Sequence, residues 1–233
     1  LESVPVTTQL GNIGGLLSSP ESIDIIQNNG NWYGFIASLN TDQGIVRLDF
    51  GNSLSNTPTA TNIGNFGYSG RIRENKVVKQ NGEYILVLLI YESKKIVRIN
   101  FRDSFDNSIA PSDIYESTAV ADAVNSIGIQ FINNCGNWKA LQTSITNQKI
   151  IQLDFGSDIL SNPTVEASYS LTGISNPRKI DIIEENSEYY AIVANASGNA
   201  SLINFHDLNI LNVPDVLDNS TFEQFISLGT AVY

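Results

Sequence analysis

An aromatic step recurs along this chain at a nearly constant interval, and few folds tolerate such a beat. Asn31-Trp32, Glu83-Tyr84, Asn137-Trp138 and Glu188-Tyr189 lie 52, 54 and 51 residues apart. A second marker keeps the same time. Phe50, Phe101, Phe155 and Phe205 each close a hydrophobic run, at intervals of 51, 54 and 50. A period of roughly 40 to 50 residues made of short strands marks a β-propeller blade or a similar array. The expected fold class is all-β: a β-propeller of four-stranded blades, four of them visible, within a larger propeller of six or more blades.

The clearest copy runs over 20–64. Ser22 to Ile26 reads as a strand, and the turn Gln27 to Asn31 holds an Asn-Gly step, the strongest short hairpin signal. Trp32 to Leu39 follows as an aromatic and β-branched strand. In the third strand, Ile45 to Phe50, Val46, Leu48 and Phe50 share one face and Arg47 and Asp49 the other. Thr59 to Ile63 reads as a short outer strand. The other blades are expected over 70–115, 125–169 and 177–229, in one domain, preceded by an outer-strand segment at 7–15. Thr7 to Gly15 resembles Thr59 to Gly67, and Phe222 to Thr230 resembles both. Five outer segments against four inner sets, in a chain with no Met, lead to the expectation of a piece of a longer array. Its terminal edges would then meet further blades of the same polypeptide or another chain.

The marker residues Trp32, Tyr84, Trp138 and Tyr189 are expected at equivalent places on the second strands, buried between blades. Asn, 27 in number, and Gly, 17, supply the many corners such a fold needs. The net charge of −11, with 13 Lys and Arg, excludes a phosphate-reading surface and so a nucleic-acid partner. No apolar run reaches the roughly 18 residues of a membrane helix. The single cysteine, Cys135, forms no intrachain disulfide.

The phrases NGNWYGFIAS, IVRLDFGNSLSNTPTATNIGNFG and NPRKIDII resemble a repeat of large surface proteins of gliding and related Bacteroidetes. In those proteins propeller repeats are strung with PKD modules and end in a type IX secretion sorting domain. The blade pattern is also similar to that of NHL-type propellers. The resemblance implies export and a place outside the cell or on its surface. It implies a non-catalytic binding or display module rather than an enzyme. The partners it suggests are another surface or secretion protein, or a glycan met by Tyr68 and Tyr115. A structural spacer is an alternative.

Catalytic signals are sparse. His206 is the only histidine and stands in a turn with no triad context. Cys135 stands where the first copy has Asn29, so a turn role is expected. Asp49, Asn100, Asp154 and Asn204 precede the marker Phe in every copy, and an Asx there is expected to bond the following backbone. The sequons at Asn195, Asn199 and Asn219 matter only in a eukaryotic secretory host. The remaining candidates are Asp24, Glu74, Asn125 and Asp181, expected on the innermost strands near the axis. Enzymes of the gluconolactonase-like family hold a divalent metal there, which makes a metal-dependent lactonase or hydrolase the competing reading, with Ca²⁺ or Mg²⁺ as the suited ions. Repeat consensus accounts for these residues without it. No cofactor, no metal and no catalytic residue is therefore expected.

Overall fold

In a computed structural model of the protein, residues 7–39, 44–208 and 214–217 are described. Four antiparallel four-stranded sheets follow one another in chain order. Blade 1 comprises β1 (Pro20–Asn28), β2 (Asn31–Ser38), β3 (Ile45–Gly51) and β4 (Thr59–Gly64). Blade 2 comprises β5 (Ile72–Gln80), β6 (Glu83–Ile90), β7 (Ile96–Asn100) and β8 (Ile114–Glu116). Blade 3 comprises β9 (Ile129–Asn134), β10 (Asn137–Ser144), β11 (Lys149–Gly156) and β12 (Thr164–Tyr169). Blade 4 comprises β13 (Pro177–Glu185), β14 (Glu188–Asn195), β15 (Ala200–Asn204) and β16 (Asp215–Leu217). The fold is a β-propeller.

Two parts differ from the sequence reading. Residues 7–15 carry no strand; Ile13–Gly15 is a single 3-10 turn. The outer strand of blade 4 is β16, ahead of Phe222 to Thr230, a stretch that lies outside the described residues.

Turn chemistry fixes the register. Each first hairpin is closed by two residues of positive φ: Asn29-Gly30, Asn81-Gly82, Cys135-Gly136 and Asn186-Ser187. That geometry matches the twist of the flanking strands and favours Asn-Gly. Trp32, Tyr84, Trp138 and Tyr189 consequently all fall opposite the end of the inner strand, facing Gln27, Lys79, Asn133 and Glu184. The Asx residues act as expected. The N–H groups of Gly51, Arg102, Gly156 and His206 donate to Asp49, Asn100, Asp154 and Asn204 at 2.6 to 2.9 Å. Arg102 and His206 adopt the same left-handed backbone as the two glycines. Ser187, at φ 65°, occupies a place where Gly is unstrained. Ser187→Gly is expected to stabilise the protein by about 1 kcal/mol, read as a higher urea midpoint; an unchanged or lower midpoint would contradict it.

Blades are joined by cores and by a repeated polar lock. One cluster packs Tyr33 and Phe35 of blade 1 against Tyr84, Leu86 and Phe101 of blade 2. A second joins blades 2 and 3 around Val87 and Trp138, and a third joins blades 3 and 4 around Leu141 and Tyr189. At each of these junctions a third-strand side chain donates to a carbonyl in the next blade's post-Phe turn. Arg47 reaches Phe105 O, Arg98 reaches Leu160 O at 3.0 Å, and Gln152 reaches Leu208 O at 2.9 Å. Burial lowers the Arg98 guanidinium to about 10, against the opposing pull of Asp158. Trp32 departs from expectation. It is half-buried where its three counterparts are buried, because among the described residues its face of blade 1 packs only on Ile13, Leu16 and Leu17 and not on another blade.

Candidate functional site

Strand pairing defines which inner-strand residues are equivalent. The residue five places after each marker, Ala37, Leu89, Thr143 or Ala194, pairs with Ser22, Glu74, Gly128 or Lys179. The residue three places after the marker pairs with Asp24, Lys76, Gln130 or Asp181. Four inner strands thus bring two tiers of side chains to the axis. The first tier is Ser22, Glu74, Gly128 and Lys179; the second is Asp24, Lys76, Gln130 and Asp181.

The first tier is tied together across the axis. Lys179 Nζ, from blade 4, donates to Glu74 Oε2 of blade 2 at 3.0 Å and to Arg73 O at 3.0 Å. The Asn75 N–H donates to Glu74 Oε1 at 3.2 Å, and to Ser22 Oγ of blade 1 at the same distance. Blade 3 contributes no side chain because β13 runs too close. A Cβ on Gly128 would lie 2.3 Å from Arg178 O, so only Gly fits there. Glu74 is buried. Burial raises its pKa, and the Lys179 ammonium only partly counters this. A carboxyl so held accepts a proton more readily than an ordinary one, which is the property of a general acid.

Glu74 and Asp181 line one cavity of about 520 Å³ together with Glu21, Lys76, Ile23 and Ile192. Glu21 pairs with Arg73 at 2.9 Å. Asp181 is exposed and accepts the Ile182 N–H at 3.0 Å. The cavity lies between the inner strands β1, β5 and β13 of blades 1, 2 and 4 and reaches β14.

The four axial candidates therefore separate. Glu74 and Asp181 come together. Asp24 faces a neighbouring cavity of about 320 Å³ and accepts the Val77 and Ile25 N–H groups at 2.5 and 3.1 Å. Asn125 was expected beside the axis, but it lies in a turn ahead of β9 and donates to Thr146 Oγ1 at 2.9 Å. A longer approach to β9 displaces it, and Gln130 takes its place. Among the described residues no three His, Cys, Asp or Glu form a group able to hold a metal ion. Sequence reasoning missed Lys179, Lys76 and Glu21. Counting from each Trp/Tyr marker back across the hairpin would have put Lys179 in the slot that Glu74 fills on blade 2.

Elsewhere, His206 contacts Glu188 and Asp215 at 3.7 and 3.3 Å in a half-exposed turn, and Cys135 is exposed in its hairpin. Tyr68 and Tyr115 are half-buried, Tyr68 against the core between blades 1 and 2.

No protein family description and no curated protein matches the chain. Solved structures do share its fold. A GH43 β-1,3-galactosidase with galactodeoxynojirimycin is 13% identical, with a TM-score of 0.57 over 87% of this chain and 76% of that one. An exo-β-1,3-galactanase from Phanerochaete chrysosporium with galactose is 12% identical, with a TM-score of 0.60 over 84% of this chain and 49% of that one. The catalytic domain of a Coprinopsis cinerea GH62 α-L-arabinofuranosidase is 11% identical, with a TM-score of 0.56 over 88% and 70%. The chain thus spans about half of the galactanase and 43% of a Bacillus licheniformis GH43 protein. At such identities the likeness shows the fold. It also corrects the functional expectation. Glycoside hydrolases recur among the solved structures that share this fold, and the reading as a non-catalytic display module, not an enzyme, is withdrawn on that finding.

Proposed function

We propose that the chain is the propeller of a glycoside hydrolase and that its axial cavity is the reaction site. The observation that carries this is Glu74, a buried carboxyl of raised pKa that shares a cavity with the exposed carboxylate of Asp181. Glycoside cleavage commonly needs two carboxyl groups in unequal environments, one to protonate the leaving oxygen and one to serve the opposite face of the sugar. Glu74 is the proton donor. Lys179 and the Asn75 N–H fix the two oxygens of Glu74. Asp181 is the second carboxylate. The cavity's volume falls within the range of small-ligand sites.

The test is hydrolysis of aryl β-galactosides, β-xylosides and α-L-arabinofuranosides by the purified chain. Release of the aryl group is expected, and Asp181→Asn is expected to reduce it by roughly 10²-fold or more without changing the melting midpoint. Equal turnover by Asp181→Asn and wild type would remove Asp181 from the reaction. No release from any of these glycosides would overturn the activity itself.

Action outside the cell or at its surface belongs to the same proposal, supported by the repeat phrases that resemble exported Bacteroidetes proteins. Protease shaving of intact cells is expected to remove the protein; full protection would contradict it.

A further inference from the structure

Two of the cations at the axial cavity are already engaged. Lys179 holds Glu74 Oε2 and Arg73 O, each at 3.0 Å, and Arg73 holds Glu21 at 2.9 Å. Lys76 is different. It lines this cavity and the neighbouring one beside Asp24, it is half-buried, and among the described residues it makes no hydrogen bond or ion pair. The carboxyl groups around it are committed elsewhere. Asp24 accepts two backbone N–H groups, one on each oxygen. Both Glu74 oxygens are held, and Asp181 accepts the Ile182 N–H.

The repeat does not ask for a cation at this place. The equivalent residues are Asp24 on blade 1, Gln130 on blade 3 and Asp181 on blade 4. Asp24 and Asp181 each accept the N–H of the residue after them, a duty that an ammonium, which has no acceptor, cannot perform. Lys76 gives up that duty and takes no other within the fold. A cation partly withdrawn from water without a counter-ion is costly, and an arriving anion offsets the cost through a charge-assisted hydrogen bond. Among the described residues no aromatic ring lines this cavity; Ile23, Ile180 and Ile192 supply its apolar wall. A sugar there is gripped by polar groups rather than stacked on a ring.

We infer that the glycoside cut at this cavity is anionic, its sugar bearing a carboxylate or sulfate that the Lys76 ammonium receives. The inference rests on the hydrolase reading above and names its substrate class. Lys76 shares the cavity with Glu74 and Asp181, so the anion belongs to the sugar whose bond is cut. Glu74 in its protonated, working form carries no charge to repel that group or to compete for the ammonium. Neutral glycosides of the same ring are slower substrates.

The test measures binding of galacturonate, galactose 6-sulfate and galactose to the 233-residue chain by calorimetry. In parallel, hydrolysis of the aryl β-galacturonide and aryl β-galactoside 6-sulfate is compared with that of the neutral aryl β-galactoside. At least one anionic sugar is expected to bind roughly tenfold or more tighter than galactose, the size of one charge-assisted hydrogen bond, with a similar ratio in kcat/KM. Lys76→Gln installs the side chain that blade 3 carries in this slot. It is expected to erase the preference while leaving galactose binding and the melting midpoint unchanged, and Lys76→Arg is expected to keep the preference. The anion that loses affinity in Lys76→Gln names the group. Equal affinity for all three sugars, or a preference that survives Lys76→Gln, would overturn the inference. Should Lys76→Gln fail to fold, salt titration of the wild type decides. Added salt is expected to weaken the anionic sugar alone, and an equal response of galactose would overturn the inference. Cleavage of the neutral glycoside with no gain for either anionic form removes the inference and leaves the activity. Lys76-dependent binding of an anion without cleavage of any glycoside removes the activity and leaves the anion site.

Discussion

Phe105→Ala is expected to cost roughly 3 to 5 kcal/mol of stability, the range for removing a buried aromatic ring. Phe105 is the hub of the junction between blades 1 and 2. Its ring centroid lies 4.7 Å from Tyr84, 4.9 Å from Phe35, 5.1 Å from Tyr33 and 5.4 Å from Phe101. Tilted and edge-on pairs of this kind add to the apolar burial. Its backbone carbonyl also accepts the Arg47 lock, so a shift of the emptied turn would unseat a guanidinium. Leu54→Ala, at the same repeat position on blade 1, is expected to change stability by no more than about 0.5 kcal/mol, as exposed sites do. Urea denaturation of both variants measures the contrast. Equal losses would mean that exposure at Leu54 misrepresents its packing.

Glu74→Gln is expected to lower glycoside hydrolysis by on the order of 10² to 10⁴-fold, the usual worth of a placed general acid. Gln keeps the shape and one acceptor but has no proton to give. The pH behaviour separates this from a structural loss. Glu74's pKa is raised, so the folded state favours the protonated form. That contribution to stability is complete below the ordinary carboxyl value of about 4.3 and is lost as pH rises through the raised value. Wild-type activity should fall along the same limb, because the acid form is the working one. The variant lacks this titration, so its stability relative to wild type should improve as pH climbs through that window. Unchanged turnover in Glu74→Gln would dismiss it as the proton donor.

The architecture was legible because turn chemistry and strand alternation are local. Asn-Gly at the hairpin tips, Asx before the marker Phe and the aromatic second strands each declare themselves within a few residues, and register follows from them. The axial site was only half legible. Asp24 and Asp181 share a slot, which spacing alone revealed. Asn125 did not, because the loop from Val120 to Gly128 changes length and counting forward from the previous blade loses the frame. The Lys179–Glu74 pair joins residues 105 apart in sequence, and nothing local marks it. The surplus outer segment was not found as a strand: residues 7–15 carry only a 3-10 turn. Ile13, Leu16 and Leu17 pack on blade 1 instead, since their spacing fits a packed tail as well as a ladder.

The Lys179 tie has a consequence for how the protein comes apart. In a linear array of repeats each unit is held by its neighbours alone, so an end unit can peel off while the others stay folded. Lys179 skips blade 3 and grips blade 2, adding a coupling between second neighbours. Peeling blade 4 away removes the cation from a buried carboxylate two blades distant. Fraying at one end is thereby felt in the middle of the array, and partial unfolding loses the independence that modular construction would otherwise grant it.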